Sequence, residues 1–540
     1  MGGRAPASGG RLPPAAVLLM AAIVPLLALI PTWQGYHFEQ PPDRVFLGFR
    51  YMPGDHYQYA GFIREGMDGV GPLMPNPFTS DTQSGVFFLP YFWMTGVLTR
   101  LTGMKMMLVW ESLRLLGGVV YLLVFWEFAG RFFDKRGERL LAMTLFSFAG
   151  GLDWIVTLLR LAGLTAIAPL EYAFSYHWNW STFGLMQVPH WIWPAMILTL
   201  ASSLTLGKSS WRQALVFLLV PWVWFLHAYS GMVAYLTFGL LPIVPLVTSL
   251  AQPSPVPWKR IRSNLQAALP ALLSFAVVAG YLLWARSDAV FRANSERGFT
   301  WTNMFPLWWY PLSYGLLLLF AWFGLKQAAR DQTLRSDLLL AWLGAAVLLS
   351  ANTIYAGVKF QYLVFPPLVL LAARGALYLK TQTRFGARAA KSGAVMSAAA
   401  LLLFLNAPVS LVKDYPAARK DADIYGSAGE MEAMKFLEGQ PDGPVLSTYR
   451  NGNRIPWLAG KRVFIGHWFM TPDLDTKGRM TMAVFSNEVP IETRKALLLR
   501  TGARYVYVSP SDGIEALDGA GLPVSRLYDS GGYAVYAVTP

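Results

Sequence analysis

The chain is 540 residues long, 54% hydrophobic and 14% charged, with no cysteine. Soluble domains carry about 25% charged residues, so a surface this poor in charge must largely face an apolar medium. Disordered, collagen-like and disulfide-stapled classes are excluded, as are thiolate catalysis and cysteine metal sites. The net charge of +14 does not signal nucleic acid: from Val412 to Pro540, 15 Lys and Arg face 15 Asp and Glu, and the surplus sits between apolar runs of residues 1–411. That pattern belongs to the inner loops of a polytopic membrane protein.

A helix crosses a bilayer with about 20 apolar residues. Eleven spans are predicted in chain order, near 14–33, 107–128, 139–153, 188–206, 213–228, 231–250, 266–285, 307–325, 337–352, 360–379 and 393–411. They place every basic cluster inside: Arg4 and Arg11, Arg131 to Arg139, Lys208 and Arg212, Lys259 to Arg262, Lys326 to Arg335, and Lys380 to Lys391. The N-terminus is then inside and the C-terminus outside. The run Pro14 to Trp33 is long and lacks a small-residue cleavage site, so it reads as a retained span. The apolar run 85–103 would invert the topology as a span and is assigned to a re-entrant or interfacial helix. Three outer segments follow: 34–105, 154–187 and the tail 412–540. In the tail a helix is expected over 430–438, strands over 444–448, 462–465, 505–509 and 533–538, and a turn at Gly531-Gly532. The fold class is thus a polytopic α-helical membrane domain, 1–411, followed by a soluble outer α/β domain, 412–540.

The first outer segment holds Gly54-Asp55-His56-Tyr57-Gln58-Tyr59-Ala60-Gly61-Phe62-Ile63-Arg64-Glu65-Gly66, a turn running into an amphipathic helix. A carboxylate at that helix start can simply cap it. The stretch also resembles the Asp-Glu-x-x-Tyr motif in the first outer loop of GT-C glycosyltransferases, integral membrane enzymes that include protein O-mannosyltransferases and aminoarabinose transferases. Asp55, Tyr59, Ala60, Ile63, Arg64 and Glu65 fit it; His56 stands where the family has a second acid. The resemblance implies a GT-C-like fold and transfer of a sugar, with inversion, from a polyprenyl-phosphate donor to a glycan, lipid or protein acceptor. Asp55 would be the base that takes the acceptor hydroxyl's proton.

A leaving polyprenyl phosphate needs a cation in a water-poor site. Lys359, opening Lys359-Phe360-Gln361-Tyr362 at an outer span end, suits that task, with Arg64, Arg292 and Arg297 as further candidates; snorkelling to headgroups is their ordinary alternative. All six histidines fall on the expected outer side or its membrane edge: His37, His56, His177, His190, His227 and His467. His190 opens the fourth span and His227 closes the fifth, so both can line one outward cavity with Asp55 and Asp153; a helix-tying hydrogen bond is the plainer use. His56 and Tyr59 are counted with the substrate-binding candidates. No cofactor is assigned; a divalent cation on Asp55, His56, Asp153 or His190 is an option that no strong metal spacing supports.

The segment 154–187 is rich in aromatics (Tyr172, Phe174, Tyr176, Trp178, Trp180, Phe183), as interfacial belts are, although such rings also stack on sugars. In the tail, Trp457 to Arg462 and Ile465 to Trp468 are either core or glycan contacts. The expected location is a bacterial-type plasma membrane, with the site on the extracytoplasmic side. Two other functions fit the sequence. One is a catalytically silent relative that binds glycan or assembles other enzymes; the other is a transporter or flippase of lipid-linked sugar, which would need polar or broken spans near the midplane and often an internal repeat, neither of which the sequence shows.

Overall fold

A computed structural model of the chain describes residues 13–37, 43–49, 53–152, 181–207, 209–250, 255–300, 309–351, 357–382, 392–412, 423–513 and 521–539, with residues 154–155, 158–159, 162–164, 388 and 517 between them. Each of the eleven expected apolar ranges overlaps a helix. Three described helical stretches are long and apolar enough to cross a membrane, Ala15–His37, Met106–Ala129 and Trp258–Ala285. A fourth is added if Ala228–Leu240 and Val244–Leu250, bent by 58° at their junction, form one broken span. The other ranges are filled by shorter or more polar helices, so span number is not fixed by helix length. The expected re-entrant run forms the helix Pro90–Thr102, whose 13 residues reach about 20 Å, too short to cross.

The chain divides into two compact units: residues 1–30, 111–280 and 301–414 form one, and residues 31–110, 281–300 and 415–540 the other. The expected outer loop 34–105 therefore lies within the segment 31–110 of the unit that holds the tail.

The first unit is helical, packed around Tyr121, Phe125, Phe146, Trp342 and Leu370. Helix association in lipid depends on close packing, which small residues permit. Helices Leu316–Asp331 and Phe365–Gln382 show it: a Cβ on Gly324 would stand 1.9 Å from the Leu371 carbonyl oxygen, and one on Gly375 would stand 1.8 Å from that of Phe320. Elsewhere in this unit Asp337 is fully buried and bonds Arg260, with Nε to Oδ2 at 2.7 Å, and the Asn264 amide at 2.8 Å.

The second unit is α/β. Its main sheet has the order β5 (Val445–Leu446), β6 (Tyr505–Val508), β8 (Tyr533–Val538), β7 (Val524–Ser530); β5 and β6 are parallel, the other pairs antiparallel. Gly531 and Gly532, with φ of 59° and 81°, make the β7–β8 turn, a backbone that glycine adopts freely. Helix Ala428–Glu438 covers the expected 430–438. The expected strand 462–465 is reduced to one bridge, Val463 to Val445. A small sheet pairs β1 (Arg44–Phe46) with β4 (Tyr425–Ser427), and another pairs β2 (Leu73–Met74) with β3 (Phe87–Phe88).

Candidate functional site

Asp55 lies in the first turn of the helix Pro53–Met67, where free backbone N–H groups favour a carboxylate. Two helices fix that helix. Pro90–Thr102 approaches it so closely that a Cβ on Gly96 would meet the Ile63 carbonyl oxygen at 2.2 Å. On the helix Tyr449–Leu458, the Asn453 amide donates to the Gly54 carbonyl at 3.2 Å, immediately before Asp55.

The same helix lets the tail reach the carboxylate. Gly452 stands against the backbone of Ile465, where a Cβ would lie 1.9 Å from the carbonyl oxygen, and the segment behind it carries His467. His467 is 2% exposed, and its Nε2 is 3.3 Å from Asp55 Oδ1. Arg297 braces this segment by donating to the carbonyls of Trp468 and Thr471, the latter at 2.7 Å. Tyr449 adjoins the pair. Burial raises its hydroxyl pKa, a bond at the Trp468 backbone opposes that, and the charges of Asp55 and Asp423 raise it further.

The other motif residues do different work. His56 is buried among the rings of Phe49, Tyr59 and Trp110, with centroids 5.0, 5.5 and 5.9 Å away. Tyr59 stacks on Phe92 at 4.8 Å. Arg64 forms ion pairs with Asp68 at 2.9 Å and Glu438 at 2.7 Å. Burial lowers its pKa, but those two partners more than offset the effect and it ends raised. Arg292 is exposed on the helix Ala289–Thr300.

Within the helical unit, His190, His227 and Lys359 come together around two aromatics. Trp191 stacks on Tyr362 with centroids 5.0 Å apart, and Lys359 Nζ lies 5.7 Å from the Trp191 ring. His227 Nδ1 shares hydrogen bonds with Ser230 Oγ and Tyr362 OH, each at 2.8 Å, and its ring is 5.8 Å from that of His190. The cluster joins a cation, two imidazoles and two apolar faces. Asp153, His177 and the aromatics Tyr172 to Trp180 lie outside the described residues. Among those described, no group of three or more His, Asp or Glu side chains is placed to hold a metal ion.

No protein-family model and no curated protein sequence matches the chain. Solved structures do. ArnT from Cupriavidus metallidurans bound to undecaprenyl phosphate aligns with a TM-score of 0.53 at 15% identity, over 97% of this chain and 99% of that one. The Archaeoglobus fulgidus oligosaccharyltransferase tethered to an acceptor peptide gives 0.53 at 12%, over 98% and 74%. The arabinofuranosyltransferase AftD from Mycobacteria gives 0.55 at 14%, over 98% of this chain and 40% of that longer one. Likeness at these identities establishes a shared fold.

Proposed function

We propose, from the premise that the chain has the GT-C fold of these transferases, that it is a membrane glycosyltransferase using a polyprenyl-phosphate-linked sugar. The observation that carries this reading is the Asp55–His467 contact, a carboxylate at a helix start held by a buried imidazole at 3.3 Å. In the reaction an acceptor hydroxyl oxygen attacks the anomeric carbon while its proton passes to Asp55. The bond from that carbon to the phosphate oxygen breaks, polyprenyl phosphate departs with the electron pair, and configuration inverts. His467 acts as a positioning residue: by engaging Oδ1 it fixes the orientation of the carboxylate.

Donor recognition is assigned to Lys359, His190 and His227 on their chemistry, a fixed cation beside imidazoles for the phosphate and ring faces for isoprenoid or sugar. ArnT was solved with undecaprenyl phosphate and the archaeal transferase AglB with dolichol phosphate, which supports a lipid phosphate as the donor carrier. Metal dependence is left to the chelator arm of the test below, since His56, one of the expected ligands, is enclosed by aromatic rings. The reading places the reaction on the extracytoplasmic face of a bacterial-type plasma membrane. A second reading, transport of a lipid-linked sugar, draws on the 58° break after Leu240, since broken helices line transporter sites.

The test uses purified protein in lipid with a panel of polyprenyl-phosphate sugars and acceptors, following release of polyprenyl phosphate, with and without chelator. Asp55→Asn is expected to lower turnover by about 10²- to 10⁴-fold while donor binding persists. Unchanged turnover removes Asp55 as the base. Donor movement across the bilayer without release favours transport, and binding without either favours a silent relative.

A further inference from the structure

The helical unit holds a cleft of about 840 Å³, lined among others by Arg131, Lys135, Arg335 and Arg374, with Glu138 and Asp331 as its carboxylates. Four cations thus face two anions, and the anions are engaged. Asp331 bonds Arg374 and accepts from the Ser336 hydroxyl at 3.0 Å. Glu138 lies 3.7 Å from Lys135. Arg131 Nε donates to the Ser203 hydroxyl at 3.3 Å, and among the described residues no carboxylate forms an ion pair with Arg131 or Arg335.

The surplus is concentrated. Burial depresses the Arg131 guanidinium first, then the charge of Arg212; Glu127 opposes them and Arg335 adds to the repulsion. Glu127 cannot balance the group, because Arg139 holds it at 3.0 Å. Packing guanidinium groups at the mouth of a cleft without counter-charge is costly, and an anion shared between them removes that cost. Guanidinium forks match phosphate oxygens in pairs, and basic pockets between membrane helices take phosphate headgroups.

We infer that this cleft is a phosphate-binding site, with Arg131 and Arg335 as its principal ligands, for a phosphate ester group carried by an anionic lipid or a soluble phosphate compound. Its lining shares no residue with the Asp55–His467 pair or the Lys359 cluster, and the inference does not depend on the transferase reading.

Delipidated full-length protein is to be titrated in two arms, phosphatidylglycerol in phosphatidylcholine nanodiscs and inorganic phosphate in detergent, with bound ligand counted by native mass spectrometry. Saturable binding in either arm is expected, the responding arm identifying the source. It should weaken by about tenfold or more in Arg335→Gln and again in the double variant with Arg131→Gln, as losing roughly 1.4 kcal/mol per ligand implies. Arg335 is exposed, so its single variant remains informative if Arg131→Gln fails to fold. Arg131→Lys, which keeps charge and loses the fork, should bind at an intermediate level. No saturable binding in either arm, or equal binding by wild type and Arg335→Gln, overturns the assignment.

Discussion

Asp55 and His467 are 412 positions apart in the sequence and 3.3 Å apart in the fold. A positioning histidine predicts a divided phenotype. His467→Ala should lower kcat by about 10- to 100-fold with KM for donor little changed, and His467→Gln, which keeps a side-chain donor, should recover most of it. Equal losses in both variants would mean a packing role. Glu65, on the same helix as Asp55, makes a different prediction. Burial, then the charge of Asp68, pushes its carboxyl from 4.5 up to about 7, against the pull of Arg462. The folded state therefore holds this proton more tightly than the unfolded chain. Its contribution is most favourable below about pH 4.5 and is lost as pH rises through about 7. Glu65→Gln should be more stable than wild type at about pH 8, by on the order of 1–2 kcal/mol after solvent screening, and indistinguishable at about pH 4. Thermal melts at the two pH values read the difference. Asp55 was legible as a candidate because a carboxylate at a helix start has its own local signal. His467 was visible only as one of several tail residues, since no local pattern reports a partner so distant.

At the scale of elements, the helix Tyr449–Leu458 is the least legible and the most consequential. Its Asn-Gly-Asn run and internal Pro456 are poor helix formers, and no element was expected there, yet tertiary packing makes it helical because Gly452 lets the Ile465 backbone approach. Gly452→Ala should cost about 1–3 kcal/mol by forcing that backbone away. Because the displaced segment leads into His467, turnover should fall with it, as melts and release assays on one preparation would show. Strand β7 was missed for another reason: most of its side chains face solvent, so it lacks the alternating apolar pattern of a half-buried strand. Strands β6 and β8, with buried and aromatic positions, stood out. The expected strand 462–465 had the right residues, but only Val463 finds a pairing partner.

For the molecule as a whole, apolar runs pointed to helices, because hydropathy is a local property, whereas the division into units is not local: it falls at 414–415, beside the expected boundary at 412, but also joins residues 31–110 and 281–300 to the tail. Within the helical unit the buried Arg260–Asp337 pair joins the helices Trp258–Ala285 and Leu334–Ser350. Arg260→Ala leaves the enclosed Asp337 carboxyl without its guanidinium partner, and should cost about 3–5 kcal/mol. Arg260→Ala with Asp337→Ala should recover much of that loss; unfolding of the three proteins in lipid checks it. The GT-C resemblance rested on about a dozen residues near Asp55, while the likeness in fold to ArnT extends over 97% of this chain.

The pairing of β1 with β4 also sets a timetable. Strand Arg44–Phe46 leaves the ribosome long before Tyr425–Ser427 exists, and at ordinary elongation rates the interval is on the order of tens of seconds. Throughout that interval the early strand has no β4 to pair with. The small sheet of β1 and β4 can therefore close only once the last quarter of the chain is being made.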